Sequence, residues 1–189
     1  MQEITVRIGD GERSTVQSGL RVWQLLKDAG VEMGPCVASR VNNELVSLSY
    51  KVDVNAAIQP VSIDSEDGSR ILRRSLCFLL SMTSFKLFPK RRLVISHSLG
   101  DAYFYYYDGM QDVPEEDIRR LDEGMRSIDD LPITRKLLAY EDAVALFDQT
   151  NQTYTSLLLK FKNDPKIPIY SCGEYNEMSY EPLVPSTGF

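Results

Sequence analysis

The chain has one histidine, His97, set between Ser96 and Ser98 at the end of an apolar run. A hydroxyl beside an imidazole is the raw material of nucleophilic catalysis. On an extended strand, however, adjacent side chains point to opposite faces, so neither Ser96 nor Ser98 is expected to face His97. Three roles stay open for His97: catalysis, contact with a ligand alongside Ser98, or a structural hydrogen bond at a turn. Arg73 and Arg74 are adjacent in a helical pattern, and a guanidinium is a fixed fork suited to phosphate or carboxylate. In the run Tyr103-Phe104-Tyr105-Tyr106-Tyr107, Tyr105 and Tyr107 share one face and Phe104 and Tyr106 the other. Such a row either stacks a nucleic-acid base or packs as core. Lys90-Arg91-Arg92 either meets RNA phosphates or forms a solvated loop. Cys36, Cys77 and Cys172 are far apart with no C-x-x-C, so neither a zinc knuckle nor a redox pair is indicated. Buried reduced thiols of a cytoplasmic protein are the plain reading.

These residues need elements to position them. Ile4, Val6 and Ile8 alternate with polar residues as a half-buried strand, and Gly9-Asp10-Gly11 turns the chain into a second strand over Glu12 to Gln17. Val22, Leu25, Leu26 and Ala29 mark one face of a short helix that Gly30 stops. Strands follow around Cys36–Val41, at Leu45-Val46 after the Asn42-Asn43 turn, and over Ile58–Ile63. This β-β-α-β-β-β order is that of a β-grasp fold, one helix across one mixed sheet. Ser65-Glu66-Asp67-Gly68-Ser69 is polar and turn-like and reads as a linker, with Ser69 as N-cap of the next helix. That helix is expected over Ile71–Phe88, ended by Pro89. A strand over Arg91–Ser98, a turn at Gly100-Asp101, an aromatic strand Ala102–Tyr107, a helix over Pro114–Ile128 with Ile118, Leu121, Met125 and Ile128 as its apolar stripe, a strand over Ile133–Leu138 and a helix from Tyr140 to Asp148 follow. Leu157–Phe161, Ile167–Ser171 and a Pro-rich tail complete an α+β unit.

Composition restricts the function further. With 43% hydrophobic and 25% charged residues in a chain of 189, a packed core needs neither disulfides nor metal. The net charge of −6 argues against a simple nucleic-acid coat. Its distribution is uneven: residues 68–100 hold seven Lys/Arg and no Asp/Glu, whereas residues 101–189 hold 8 Lys/Arg against 17 Asp/Glu. No signal peptide is visible, and the most apolar stretch, Leu76 to Phe88, is interrupted by Lys86 and too short to span a bilayer.

Two segments resemble known families. The opening Ile4-Thr5-Val6 through Gly9-Asp10-Gly11, with Ala38-Ser39-Arg40-Val41-Asn42-Asn43-Glu44-Leu45-Val46, resembles the TGS domain of threonyl-tRNA synthetases. From Ile71 onward the chain is similar to the second additional domain of those enzymes, which edits mischarged tRNA. The residues that carry this are Leu87-Phe88-Pro89, Tyr103 to Asp108, Pro114 to Ile118, Arg126 and Glu177 to Pro185. The editing family places two histidines four apart on the first helix and a cysteine and a histidine four apart near the end. Those positions fall here on Arg74 and Phe78, and on Ser179 and Leu183. Phe and Leu neither ligate a metal nor move a proton, so editing through that constellation is excluded, and no metal site is expected. Arg74 and Ser179 become candidates for anion or ligand binding instead.

A narrower resemblance lies in Ile71-Leu72-Arg73-Arg74-Ser75-Leu76, Ser96-His97-Ser98-Leu99-Gly100 and Val184-Pro185-Ser186-Thr187-Gly188, which look like the N-terminal half of bacterial uridine kinase-like nucleoside kinases. It implies a C-terminal kinase domain, bringing ATP and Mg, beyond a chain truncated before it. No Gly-Lys dipeptide occurs here, so this chain has no Walker A loop and no cofactor of its own is expected.

The expectation is an α+β chain: a TGS-like β-grasp domain over 1–65, a linker over 66–70 and an editing-domain-like unit over 71–189. The expected role is a non-catalytic regulatory, ligand-binding or RNA-binding module of a nucleoside kinase, cytoplasmic and without a membrane. The ligand candidates are Arg73, Arg74, His97, Ser98, Tyr105 and Ser179; the nucleic-acid candidates are Lys90, Arg91 and Arg92. A stand-alone RNA- or tRNA-binding module and a divergent aminoacyl-tRNA hydrolase are the alternatives.

Overall fold

The computed structural model describes residues 2–189 apart from Asp101 and Asn163, with the backbone alone at Leu99 and Thr153. The first unit contains β1 (Glu3–Ile8), β2 (Arg13–Gln17), β3 (Leu20–Arg21), α1 (Val22–Asp28), β4 (Cys36–Val41), β5 (Glu44–Val46), β6 (Lys51–Val52) and β7 (Ala56–Ser62). Its sheet runs β2-β1-β7-β4-β5, with β1 and β7 parallel and the other pairs antiparallel, which is the β-grasp arrangement. Asn42 and Asn43 take positive φ, 51° and 70°, as the tight turn between β4 and β5 requires. Val22, Leu25 and Leu26 of α1 pack with Ile4, Val6 and Ile58 of the sheet. The small β3–β6 ribbon was not expected.

The residues read as a linker are helical. α2 (Glu66–Leu87) begins at once, with Ser65 rather than Ser69 as its cap; the Ser65 hydroxyl accepts from the Gly68 amide at 3.1 Å, and Glu66 and Asp67 fill the first turn. A polar stretch with a glycine reads as loop, but this glycine is a packing device. A Cβ at Gly68 would stand 2.0 Å from the Ser62 carbonyl oxygen, so the helix lies directly against the end of β7. Asp67 is clamped by Arg40 of β4 and by Arg70, and the Arg40 guanidinium holds its carboxyl below the usual range.

The second unit continues with β8 (Leu93–Leu99), β9 (Ala102–Tyr107), α3 (Glu115–Arg126), β10 (Thr134–Ala139), α4 (Tyr140–Gln149), α5 (Thr153–Leu159), β11 (Lys166–Cys172) and β12 (Tyr175–Met178). β8 and β9 form a separate antiparallel ribbon; β10-β11-β12 form a three-stranded sheet. The turn expected at Gly100-Asp101 falls partly outside the described residues. On α3 the expected stripe holds at Leu121, which is buried, and at Met125 and Ile128, which are half-buried, but Ile118 is exposed and Asp117 is buried and pairs with Arg91. The two units share one core. Val37, Ala38 and Val61 of the β-grasp sheet cluster with Ile71 and Phe78 of α2 and with Tyr170, Cys172, Leu183 and Val184. The fold is therefore α+β, as expected, with a packed junction.

Candidate functional site

The inner face of α2 and the chain that follows β12 are tied together by one serine. Ser75 Oγ donates to the Ile71 carbonyl at 2.7 Å, and accepts from the Val184 amide at 3.0 Å. This pins the C-terminal stretch along the helix and collects all four positions of the editing pattern at one seam. Phe78 and Leu183 are buried in the shared core. Arg74 Nη2 meets Glu181 Oε2 at 2.9 Å at the exposed mouth. Ser179 is buried and its hydroxyl donates to the Glu181 carbonyl at 2.9 Å. The geometry that would gather ligands is present, but its interior is apolar and its two polar members are already partnered. Among the described residues, no group of three or more His, Cys, Asp or Glu side chains could hold a metal ion.

Beside this seam lies an ionisable group that spacing did not single out. Glu177 of β12 accepts a 2.9 Å hydrogen bond from the Tyr175 hydroxyl, while the Tyr175 ring stands edge-on to Phe78, with centroids 5.3 Å apart. Burial raises the Glu177 pKa to about 7; the Tyr175 bond and the Arg74 charge pull the other way. Burial, with the charge of Glu177 behind it, pushes the Cys77 thiol up as well. A carboxyl that is half protonated near neutral pH can donate or accept a proton. Its only sequence signal was membership of the Glu177–Pro185 run; β12 is four residues long, and Arg74 and Cys77, which interact with the carboxyl, belong to α2, far away in the chain.

The other candidates are dispersed. Arg73 lies half-buried on α2 next to Arg74. His97 is exposed on β8, and its Nδ1 shares a 3.2 Å hydrogen bond with Ser96 Oγ. This corrects the expectation that the two face apart: the β8–β9 register shifts between Ile95 and Ser98, and the irregularity breaks the alternation. The imidazole stacks on Phe104, with centroids 5.6 Å apart, and Phe104 neighbours Tyr106 at 6.1 Å. Ser98 is exposed on the same strand. Tyr105 is half-buried and packs against the Phe88, Tyr107 and Leu121 cluster. The exposed aromatic row is therefore His97, Phe104 and Tyr106, on the face opposite Tyr105.

The basic run is largely spoken for. Arg91 pairs with buried Asp117 and lies over the Phe88 ring at 4.6 Å, so it is part of the core's edge. Arg92 meets Asp108 at 3.1 Å and lies over Tyr154 at 4.3 Å. Lys90 is exposed. The three flank a hollow of about 350 Å³ that Ser81 and Tyr175 also line.

No protein-family model matches the chain. It does align with curated proteins along almost its whole length. The threonine–tRNA ligase of Rubrobacter xylanophilus is 32% identical over 191 residues, covering 97% of this chain and 29% of the ligase. The chain is similar to part of the threonine–tRNA ligases. Those of Desulforamulus reducens (28% identical, 98% of this chain, 30% of the ligase) and Citrifermentans bemidjiense (27%, 100% and 30%) give the same picture. The chain spans less than a third of the length of these ligases, and the similarity runs through both units and the junction between them.

Proposed function

We propose that this chain is a tRNA-binding module that holds its ligand without hydrolysing it. The observation that carries this reading is the filled seam. In a chain similar to threonine–tRNA ligases, Phe78 and Leu183 occupy the interior where catalytic ligands would have to stand. The binding surface is the β8–β9 ribbon, where His97, Phe104 and Tyr106 present aromatic faces on which unpaired bases stack, with Lys90 to Arg92 at its foot. Labelled tRNA titrated with the chain at rising salt tests this. Retention at low salt that weakens steadily as salt rises is the expected result; no complex even at low salt would overturn it.

A second reading has one observation in its favour. Glu177, with a pKa of about 7 beside Tyr175 and Cys77, has the properties of a general base in a divergent aminoacyl-tRNA hydrolase. Ester cleavage by the native chain that disappears in Glu177→Gln would establish it.

The nucleoside-kinase parent, with its ATP and Mg, rests on the resemblance of the Ile71–Leu76, Ser96–Gly100 and Val184–Gly188 phrases alone, and the ligases named above lend it no support. Reading the natural gene beyond Phe189 decides it: a Gly-x-x-x-x-Gly-Lys-Ser/Thr loop there establishes the kinase, and a ligase catalytic region removes it. A cytoplasmic location belongs to the same proposal. No described helix is long and apolar enough to cross a membrane.

A further inference from the structure

We propose that the cleft between the β-grasp unit and the second unit is a binding site for a free nucleoside phosphate. The cleft is about 780 Å³, within the range of small-molecule sites. Arg21 and Trp23 stand on one wall, Ser47 lines it from the loop after β5, and Arg135, Lys136 and Tyr170 stand on the other. No aspartate or glutamate lines it, although the chain as a whole carries a net charge of −6. Arg21, Arg135 and Lys136 form no ion pair among the described residues, whereas seven other arginines do. Three cations gathered with no aspartate or glutamate side chain among the lining residues repel one another and make a local positive potential that an anion relieves.

The remaining lining says which anion. Trp23, the single tryptophan, is 40% exposed and offers a broad apolar face for a base. Ser47 and Ser49 share a 2.8 Å hydrogen bond, and their hydroxyls can turn to phosphate or ribose oxygens. Tyr170 is buried within reach of Ser47 and Arg135, and burial pushes its phenol up, so it remains a donor. A bare phosphate would leave the indole idle, and a bare nucleoside would leave the cations idle. A nucleotide uses both. None of these residues belongs to the β8–β9 ribbon, so the site does not rest on the tRNA reading.

Selectively excited fluorescence of Trp23 is the test, with UMP, AMP and inorganic pyrophosphate titrated into the full chain. The expected result is saturable quenching by at least one mononucleotide, reversed by pyrophosphate. In the Arg135→Ala/Lys136→Ala variant the affinity should fall by about ten-fold or more, because charge-assisted hydrogen bonds are lost. Arg21→Ala, which breaks no ion pair, should weaken binding in the same direction and serves if the double variant fails to fold. Absence of saturable quenching at millimolar nucleotide, or quenching unchanged in a folded variant, overturns the proposal. So does quenching by a single-stranded RNA oligomer alone, which would assign the cleft to RNA.

Discussion

Glu177 is a half-buried carboxyl whose titration bears on the stability of the folded state. Its pKa stands at about 7 against an ordinary value of 4.5, so the folded protein binds more protons than the unfolded chain between those two points. Stability from this group is therefore fully present at acid pH and is lost as pH rises toward about 7, by an amount of order a few kcal/mol. Thermal melts of the native chain and of Glu177→Gln from about pH 5 to about pH 8 check this: the difference between them should shift in favour of the glutamine variant as pH rises. A constant difference would contradict the burial. At this scale the sequence reveals some residues and hides others. Arg74 and Ser179 are found because a four-residue spacing carries over to them. Glu177 is hidden because Arg74 and Cys77, the α2 groups that interact with it, are distant in sequence and meet it only in the fold. The Ser96–His97 hydrogen bond is hidden because alternation assumes a regular strand, and β8 is irregular there.

At the scale of elements, the start of α2 decides how the two units are joined. Replacing a helical glycine by alanine ordinarily stabilises by up to about 1 kcal/mol. At Gly68 the sign should reverse, because the added methyl would meet the Ser62 backbone at 2.0 Å and the helix would have to move off β7. We expect Gly68→Ala to cost about 2 kcal/mol or more in chemical denaturation, and Ser65→Ala about 1 kcal/mol through its cap. An unchanged midpoint for Gly68→Ala would show that the junction is loose. The five strands of the main β-grasp sheet, α1, α3 and α4 were legible from hydrophobic pattern and turn signals, whereas the two-residue strands of the β3–β6 ribbon were too short to show either. The first turn of α2 was not, since Ser65 to Ser69 is polar in composition and helical only through its cap and its contact with β7. The inward turn of Asp117 was equally invisible, because its partner Arg91 comes from another segment.

At the scale of the whole molecule, the acidic average conceals local surfaces of different character. The β8–β9 ribbon is aromatic and half-exposed, and removing two stacking rings from it should be felt by RNA. Phe104→Ala/Tyr106→Ala should weaken tRNA binding by about 1–3 kcal/mol per lost stack while leaving the melting curve close to native, since both rings are outside the core. Binding that is unchanged in that variant would move the RNA to another face. The β-grasp-plus-α+β architecture was readable from element order and from the resemblance of the two segments. The core shared between the units was not, because periodicity reports which face of a strand is buried and not what covers it.

The most direct measurement follows a labelled aminoacyl-tRNA mixed with the purified chain, recording both complex formation and survival of the ester bond. The filled seam of Phe78 and Leu183 leads us to expect a complex in which the ester decays no faster than in buffer. Cleavage well above that rate, lost in Glu177→Gln, would contradict the account and make this chain a hydrolase.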